Sequence, residues 1–100
     1  MYARILKVQM QPGKVDEALE LYQNEVGPAA RQQTGFQQLL LLVNRQDSTG
    51  ISISVWETLD DLAASEASGY LQEQLAKFTH IFVPDLQPVR ETYEVGAQVS

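Results

Sequence analysis

The sequence predicts an α+β fold, a four-stranded antiparallel sheet with two helices on one face, and three observations predict it. Four segments read as strands, the first and third by alternation of apolar and polar residues with a period near two, and two others repeat apolar residues with the period of an α-helix. Glycine, proline and other turn-forming residues separate these segments, which follow one another as β-α-β-β-α-β.

The first strand is predicted over Ala3 to Gln11, where Leu6, Val8 and Met10 share one face. Pro12-Gly13 ends it. Val15, Ala18, Leu19, Tyr22 and Val26 then follow helical spacing, with Asp16 and Glu17 suited to the positive end of the helix. Gly27-Pro28 is expected to interrupt this helix, which resumes as a short turn through Gln33 before Thr34-Gly35 stops it. Phe36 to Asn44 reads as a strand, Asp47 to Gly50 as a turn, and Ile51 to Trp56 as the second arm of a hairpin. Within that arm Ile51, Ile53 and Val55 point one way, and Ser52, Ser54 and Trp56 the other. Thr58 followed by Asp61 resembles a capping box, and Leu59, Ala63, Ala67, Leu71 and Leu75 trace the stripe of the second helix. Gly69 is expected to break or bend it. Val83 to Pro88 reads as a loop and Val89 to Val95 as the last strand. The order is the ferredoxin-like arrangement.

A chain of 100 residues with 44% apolar content is expected to form one domain, spanning 1–100, around one modest core. The longest uninterrupted aliphatic run, Leu39 to Val43, is too short to span a membrane, and no secretory-type leader is visible, so a soluble cytoplasmic protein is expected. The absence of cysteine excludes thiolate catalysis and thiolate metal sites. One histidine and scattered carboxylates offer no metal-ligand spacing, and the glycines are too far apart for a phosphate-cradling loop. Neither a metal nor another cofactor is expected. A formal net charge of −6 without a basic cluster argues against nucleic acid and anionic membranes as partners. Arg31, Arg45 and Arg90 are isolated and read as surface residues.

Two helices can cover only one face of a four-stranded sheet. The second strand is nevertheless apolar on both faces, with Leu39, Leu41 and Val43 on one and Leu40 and Leu42 on the other. A second copy of the chain is the simplest cover for the outer leucines, which predicts a homodimer.

Pro12-Gly13-Lys14, Thr34-Gly35-Phe36, Val55-Trp56-Glu57 and Arg90-Glu91-Thr92-Tyr93, in this order and spacing, resemble the antibiotic biosynthesis monooxygenase family of the dimeric α/β-barrel superfamily. The resemblance implies two sheets packed into a barrel across a dimer and a pocket between sheet and helices in each subunit. It further implies, as one known activity, oxygenation of aromatic polyketides or quinols without flavin or metal. Members commonly place histidines nine and fourteen residues after the tryptophan that Trp56 resembles, where this chain has Ser65 and Tyr70. Haem-degrading relatives carry an Asn in the first strand and a Trp and His on the second helix; this chain has Lys7 near the first position and neither of the others on that helix.

Oxygenation of a phenol requires an aromatic-lined pocket, loss of a substrate proton, and polar groups to hold the resulting anion. The candidates for proton handling are His80, the only histidine, and Tyr70, which follows Gly69 and can aim a phenol into the pocket. Trp56, Phe78 and Ser65 are the candidate substrate-binding residues. Each also has a structural reading: His80 can favour the negative end of the second helix, Trp56 can serve packing alone, and an unperturbed tyrosine is a poor base. Tyr22 and Tyr93 are expected to anchor core edges with their hydroxyls at the rim. The function expected is that of a small cofactor-independent monooxygenase acting on a phenolic or quinol-type molecule. The alternatives are a non-catalytic dimeric binding or scaffold protein of the same fold, and a proton-shuffling isomerase.

Overall fold

The structure is a computed structural model that describes residues 1–100. The strands are β1 (Tyr2–Gln9), β2 (Phe36–Asn44), β3 (Thr49–Trp56) and β4 (Val89–Glu94). They make one antiparallel sheet in the order β2-β3-β1-β4. The expected β-α-β-β-α-β order is thus observed, with the helices packed on one face. Residues Met10 and Gln11, read as part of the first strand, instead tie the end of β1 to the segment after the last helix: Met10 bridges Phe82, and the Gln11 amide donates to the Ile81 carbonyl.

The first helical arm differs from expectation. Helix α1 (Val15–Leu21) passes without interruption into a π-helical segment (Tyr22–Val26) and then into α2 (Gly27–Arg31). Gly27-Pro28 does not stop it. The wider π turn lets the Gly27 amide donate to the Tyr22 carbonyl, and Pro28 falls in the first turn of α2, where its missing N–H costs nothing.

The second arm begins as expected, with Thr58 Oγ1 accepting from the Asp61 amide at 3.0 Å. Such a cap typically contributes about 1 kcal/mol. Gly69, at φ +89°, divides the arm into α3 (Leu59–Ala67) and α4 (Tyr70–Ala76). The buried stripe is therefore not the one counted straight through the glycine. Leu59, Ala63 and Ala67 face solvent, while α3 buries Leu62 and Ser65 and α4 buries Tyr70, Leu71 and Gln74.

Strand β2 carries a bulge at Gln37, between the pairs Phe36↔Trp56 and Gln38↔Val55. One extra residue reverses the facing of everything before it, so Phe36 joins Leu39 and Leu41 on the helix side rather than Leu40 and Leu42 on the open side. Just before it, Gly35 has φ +80° and lies so close to the Asp61 carboxylate that a Cβ would collide with it at 2.1 Å, which fixes glycine there. The helix-side core is two clusters, one around Met10, Val15, Val26, Phe78 and Ile81 and one around Ala30, Trp56, Leu62 and Tyr70.

Candidate functional site

A cavity of about 70 Å³ lies between the sheet and the helices. Its floor comes from alternate residues of β1, β2 and β3, and its roof from the π segment, α4 and Phe78. This volume exceeds the roughly 10–15 Å³ that a single water requires. The wall is largely apolar.

Trp56 is buried and organises one end of it. Its ring meets Phe36 edge to face with centroids 5.8 Å apart and Tyr70 with centroids 6.4 Å apart, while its indole N–H donates to Ser54 Oγ at 3.0 Å. With its only donor satisfied, the indole presents a purely apolar and π surface to the cavity. The left-handed Gly69 turns α4 so that Tyr70, its first residue, lies against Trp56.

The polar groups on the wall are few. Tyr22 donates to the Leu40 carbonyl at 3.0 Å and shares a hydrogen bond with Ser52 Oγ at 2.7 Å, and burial raises its hydroxyl to about 12, partly offset by Ser52. The half-buried ring lines the cavity while the hydroxyl reaches the exposed Leu40 carbonyl. Burial also raises Tyr70, against the opposing charge of Arg4. Both phenols are neutral at physiological pH.

Arg4 is the one charged residue on the cavity wall and is only 3% exposed. Its Nη1 donates to Ser65 Oγ at 2.7 Å and to Glu66 Oε2 at 3.3 Å, and its guanidinium carbon stands 5.4 Å from the Trp56 ring centroid. Burial lowers its pKa and the Glu66 carboxylate pulls it back up; a guanidinium remains charged throughout the physiological range. The sequence reading missed Arg4. The signal was present, since the alternation that aligns Leu6, Val8 and Met10 reaches Arg4 two residues earlier.

The sequence-predicted residues divide into three groups. Trp56, Tyr70 and Phe78 line the cavity. Ser65 is buried behind Arg4, accepting from its guanidinium and donating to the Leu62 carbonyl at 2.6 Å. His80 is not brought to the cavity: its side chain is 59% exposed and hydrogen-bonds through Nε2 to the Glu17 carboxylate, whose pKa the contact lowers. The turn after α4 carries His80 to the outer surface over α1. Tyr93 likewise lies outside the cavity, more than half exposed on the open face of the sheet.

The sequence model of the family described as antibiotic biosynthesis monooxygenase matches residues 1–77. An uncharacterised protein of Mycobacterium tuberculosis, Rv2558, is 37% identical over 65 residues, covering 65% of this chain and 28% of that protein. The chain thus spans little more than a quarter of the curated relatives it matches. Among solved structures, SnoaB, a cofactor-independent oxygenase from Streptomyces nogalater, superposes with a TM-score of 0.77 at 14% identity, covering 98% of this chain and 95% of SnoaB. A conserved protein from Methanosarcina mazei superposes with a TM-score of 0.71 at 15% identity, covering 92% of this chain and 89% of that one. At these identities the superpositions show a shared fold. Together with the family match over most of its length, they establish that the chain belongs to the antibiotic biosynthesis monooxygenase family.

Proposed function

We propose that the protein is a homodimeric, cofactor-independent monooxygenase that takes a small phenolic or quinol-type molecule into the cavity between sheet and helices. The observation that carries this reading is the cavity wall itself, with Phe36, Trp56 and Tyr70 packed edge to face beside a few polar groups. A flat aromatic ring fits such a wall, and the hydroxyl of Tyr70 can orient its oxygens. Tyr70 acts as a hydrogen-bonding group rather than a base, because burial keeps its proton on. Trp56 and Phe78 hold the ring, and Ser65 contributes indirectly by holding Arg4. His80 lies outside this arrangement. SnoaB, of the same fold, is an oxygenase that works without a cofactor.

The dimer is read from the open face. Leu40 pairs with Ile53, which pairs with Ile5, and Leu42 pairs with Ile51, forming a continuous apolar surface that the chain leaves uncovered. A second sheet laid face to face would bury it.

A specific observation favours non-catalytic binding as a second reading: no histidine or carboxylate lines the cavity. A positioned acid or base is worth roughly 10² to 10⁴ in rate, so turnover without one depends on substrates that ionise readily. Oxygen consumption over a panel of hydroquinones and dihydroxynaphthalenes between pH 6 and 9 separates the two readings. Slow uptake above the buffer rate is expected, rising with pH, unchanged in His80→Ala and reduced in Tyr70→Phe. Uptake that disappears in His80→Ala would make that residue the base and overturn this assignment. No uptake with any member would leave the binding reading in its place.

A further inference from the structure

Arg4 is placed at odds with the usual economy of a protein interior. Both of its side-chain hydrogen bonds leave from Nη1, and its buried Nε–H has no acceptor. More than nine in ten buried polar groups find a partner, and leaving a donor unpaired is costly, the more so when it is charged. Its charge is also incompletely answered. Glu66 is shared, with Oε2 at 3.3 Å from Arg4 and Oε1 at 3.5 Å from Arg90, so two guanidiniums against one carboxylate leave one positive charge over. The other polar groups on the cavity wall, Tyr22, Ser52, Ser54, Tyr70 and Gln74, carry no negative charge that would repel an anion.

We propose that Arg4 is the anion-holding residue of the cavity, and that the ligand class it selects is an acidic phenol or enol bound as its oxyanion. This rests on the reading of the cavity as the ligand site and goes beyond it by assigning the charge state of the ligand and the group that sets it. Trp56 holds the guanidinium from one side and Ser65 and Glu66 from another, so the donor is positioned before the ligand arrives. In a site of low polarity a fixed cation beside a phenol favours the ionised form. The hydroxyl O–H bond breaks, its electron pair stays on the oxygen, and the proton passes to water; no side-chain base is required. The neutrality of Tyr70 is consistent with this division of labour, since a neutral phenol can donate to the same oxyanion.

The test uses the native protein, without oxygen, and 4-nitrophenol as a probe whose anion is read by its absorbance. At one probe per chain, the pKa of the bound phenol should fall by about one unit or more, equivalent to a tenfold preference for the anion. At pH 8 the neutral methyl ether, 4-nitroanisole, should bind about tenfold more weakly or worse. Arg4→Lys should retain part of the preference, and Arg4→Met should abolish it while still binding the ether, both judged on protein with a native circular-dichroism spectrum. Should neither variant fold, the two measurements on the native protein decide the matter. An unchanged or raised pKa of the bound probe, equal binding of phenol and ether, or no binding of either would overturn the proposal. Anion preference without oxygen uptake on any phenol would sink only the oxygenase reading, whereas uptake without anion preference would sink only this one.

Discussion

On the helix side of the sheet, Leu6, Met10 and Trp56 keep at most 8% of their surface exposed, whereas on the opposite side Leu40 and Leu42 keep 43% and 50%. Both faces are built from the same strands. The helix side is closed by the chain's own two helical arms, yet it encloses a guanidinium with an unpaired N–H. The open side carries few charges and many aliphatic side chains, yet it faces outward. The contrast teaches that the two faces are left unsatisfied in different ways. The inner face lacks an acceptor, which a small anion can supply. The outer face lacks apolar cover, which a second copy can supply.

The largest effect that would break this comparison concerns assembly. Light scattering at micromolar concentration should report twice the chain mass for the native protein. Replacing both outer leucines, as Leu40→Glu with Leu42→Glu, should return the mass of one chain, because each substitution removes burial worth up to about 1.5–3 kcal/mol per side chain and places like charges against each other across the interface. A native protein that is already monomeric, with an intact circular-dichroism spectrum, would show that the open face needs no cover. Next in size is the inner face. Trp56→Ala should lower unfolding free energy in urea by about 3–5 kcal/mol, since it removes the ring that Phe36, Tyr70 and Arg4 all touch. A loss below 1 kcal/mol would mean that this end of the cavity collapses freely and is not a preformed wall.

The smallest effect lies in alkaline stability. Below the ordinary tyrosine value, roughly pH 10, neither the folded nor the unfolded chain has lost the Tyr22 proton. Between that value and about 12 the unfolded chain ionises while the folded one does not, so stability falls with rising pH. The loss from this group is at most about 2–3 kcal/mol. Tyr22→Phe should therefore lose less stability than the native protein between pH 9 and 11.5, although it starts lower for want of the bonds to Leu40 and Ser52. Equal losses would place the Tyr22 hydroxyl in contact with solvent.

Much of this arrangement was legible beforehand because it is local. Alternation marked β1 and β3, Thr58 marked the start of α3, Gly69 marked the break, and the run Leu39 to Val43 announced that both faces of β2 are apolar. Trp56, Tyr70 and Phe78, which line the cavity, were expected there with the resemblance to the family. Three features were not legible. The π segment keeps the first arm continuous past Gly27-Pro28, with the Gly27 amide choosing the carbonyl five residues back rather than four. The bulge at Gln37 carries Phe36 to the cavity side, and no turn residue announces it. His80 was singled out for its chemistry, yet its position on the surface follows from how the turn after α4 packs over α1.

By itself, then, the sequence determined the order of elements, the alternation of facing along most of each strand, and the apolar character of both faces of β2, because these follow from residue spacing over a few positions at a time. Only the tertiary structure decided which charged residue would lie beneath the helices. Alternation put Arg4 in line with Leu6, but a buried guanidinium is tolerated only where acceptors meet it, and Ser65 and Glu66 come from 61 and 62 residues away. Spacing within β1 carries no information about those partners; the packing of α3 over the sheet supplies them, and with them the one charge that faces the cavity.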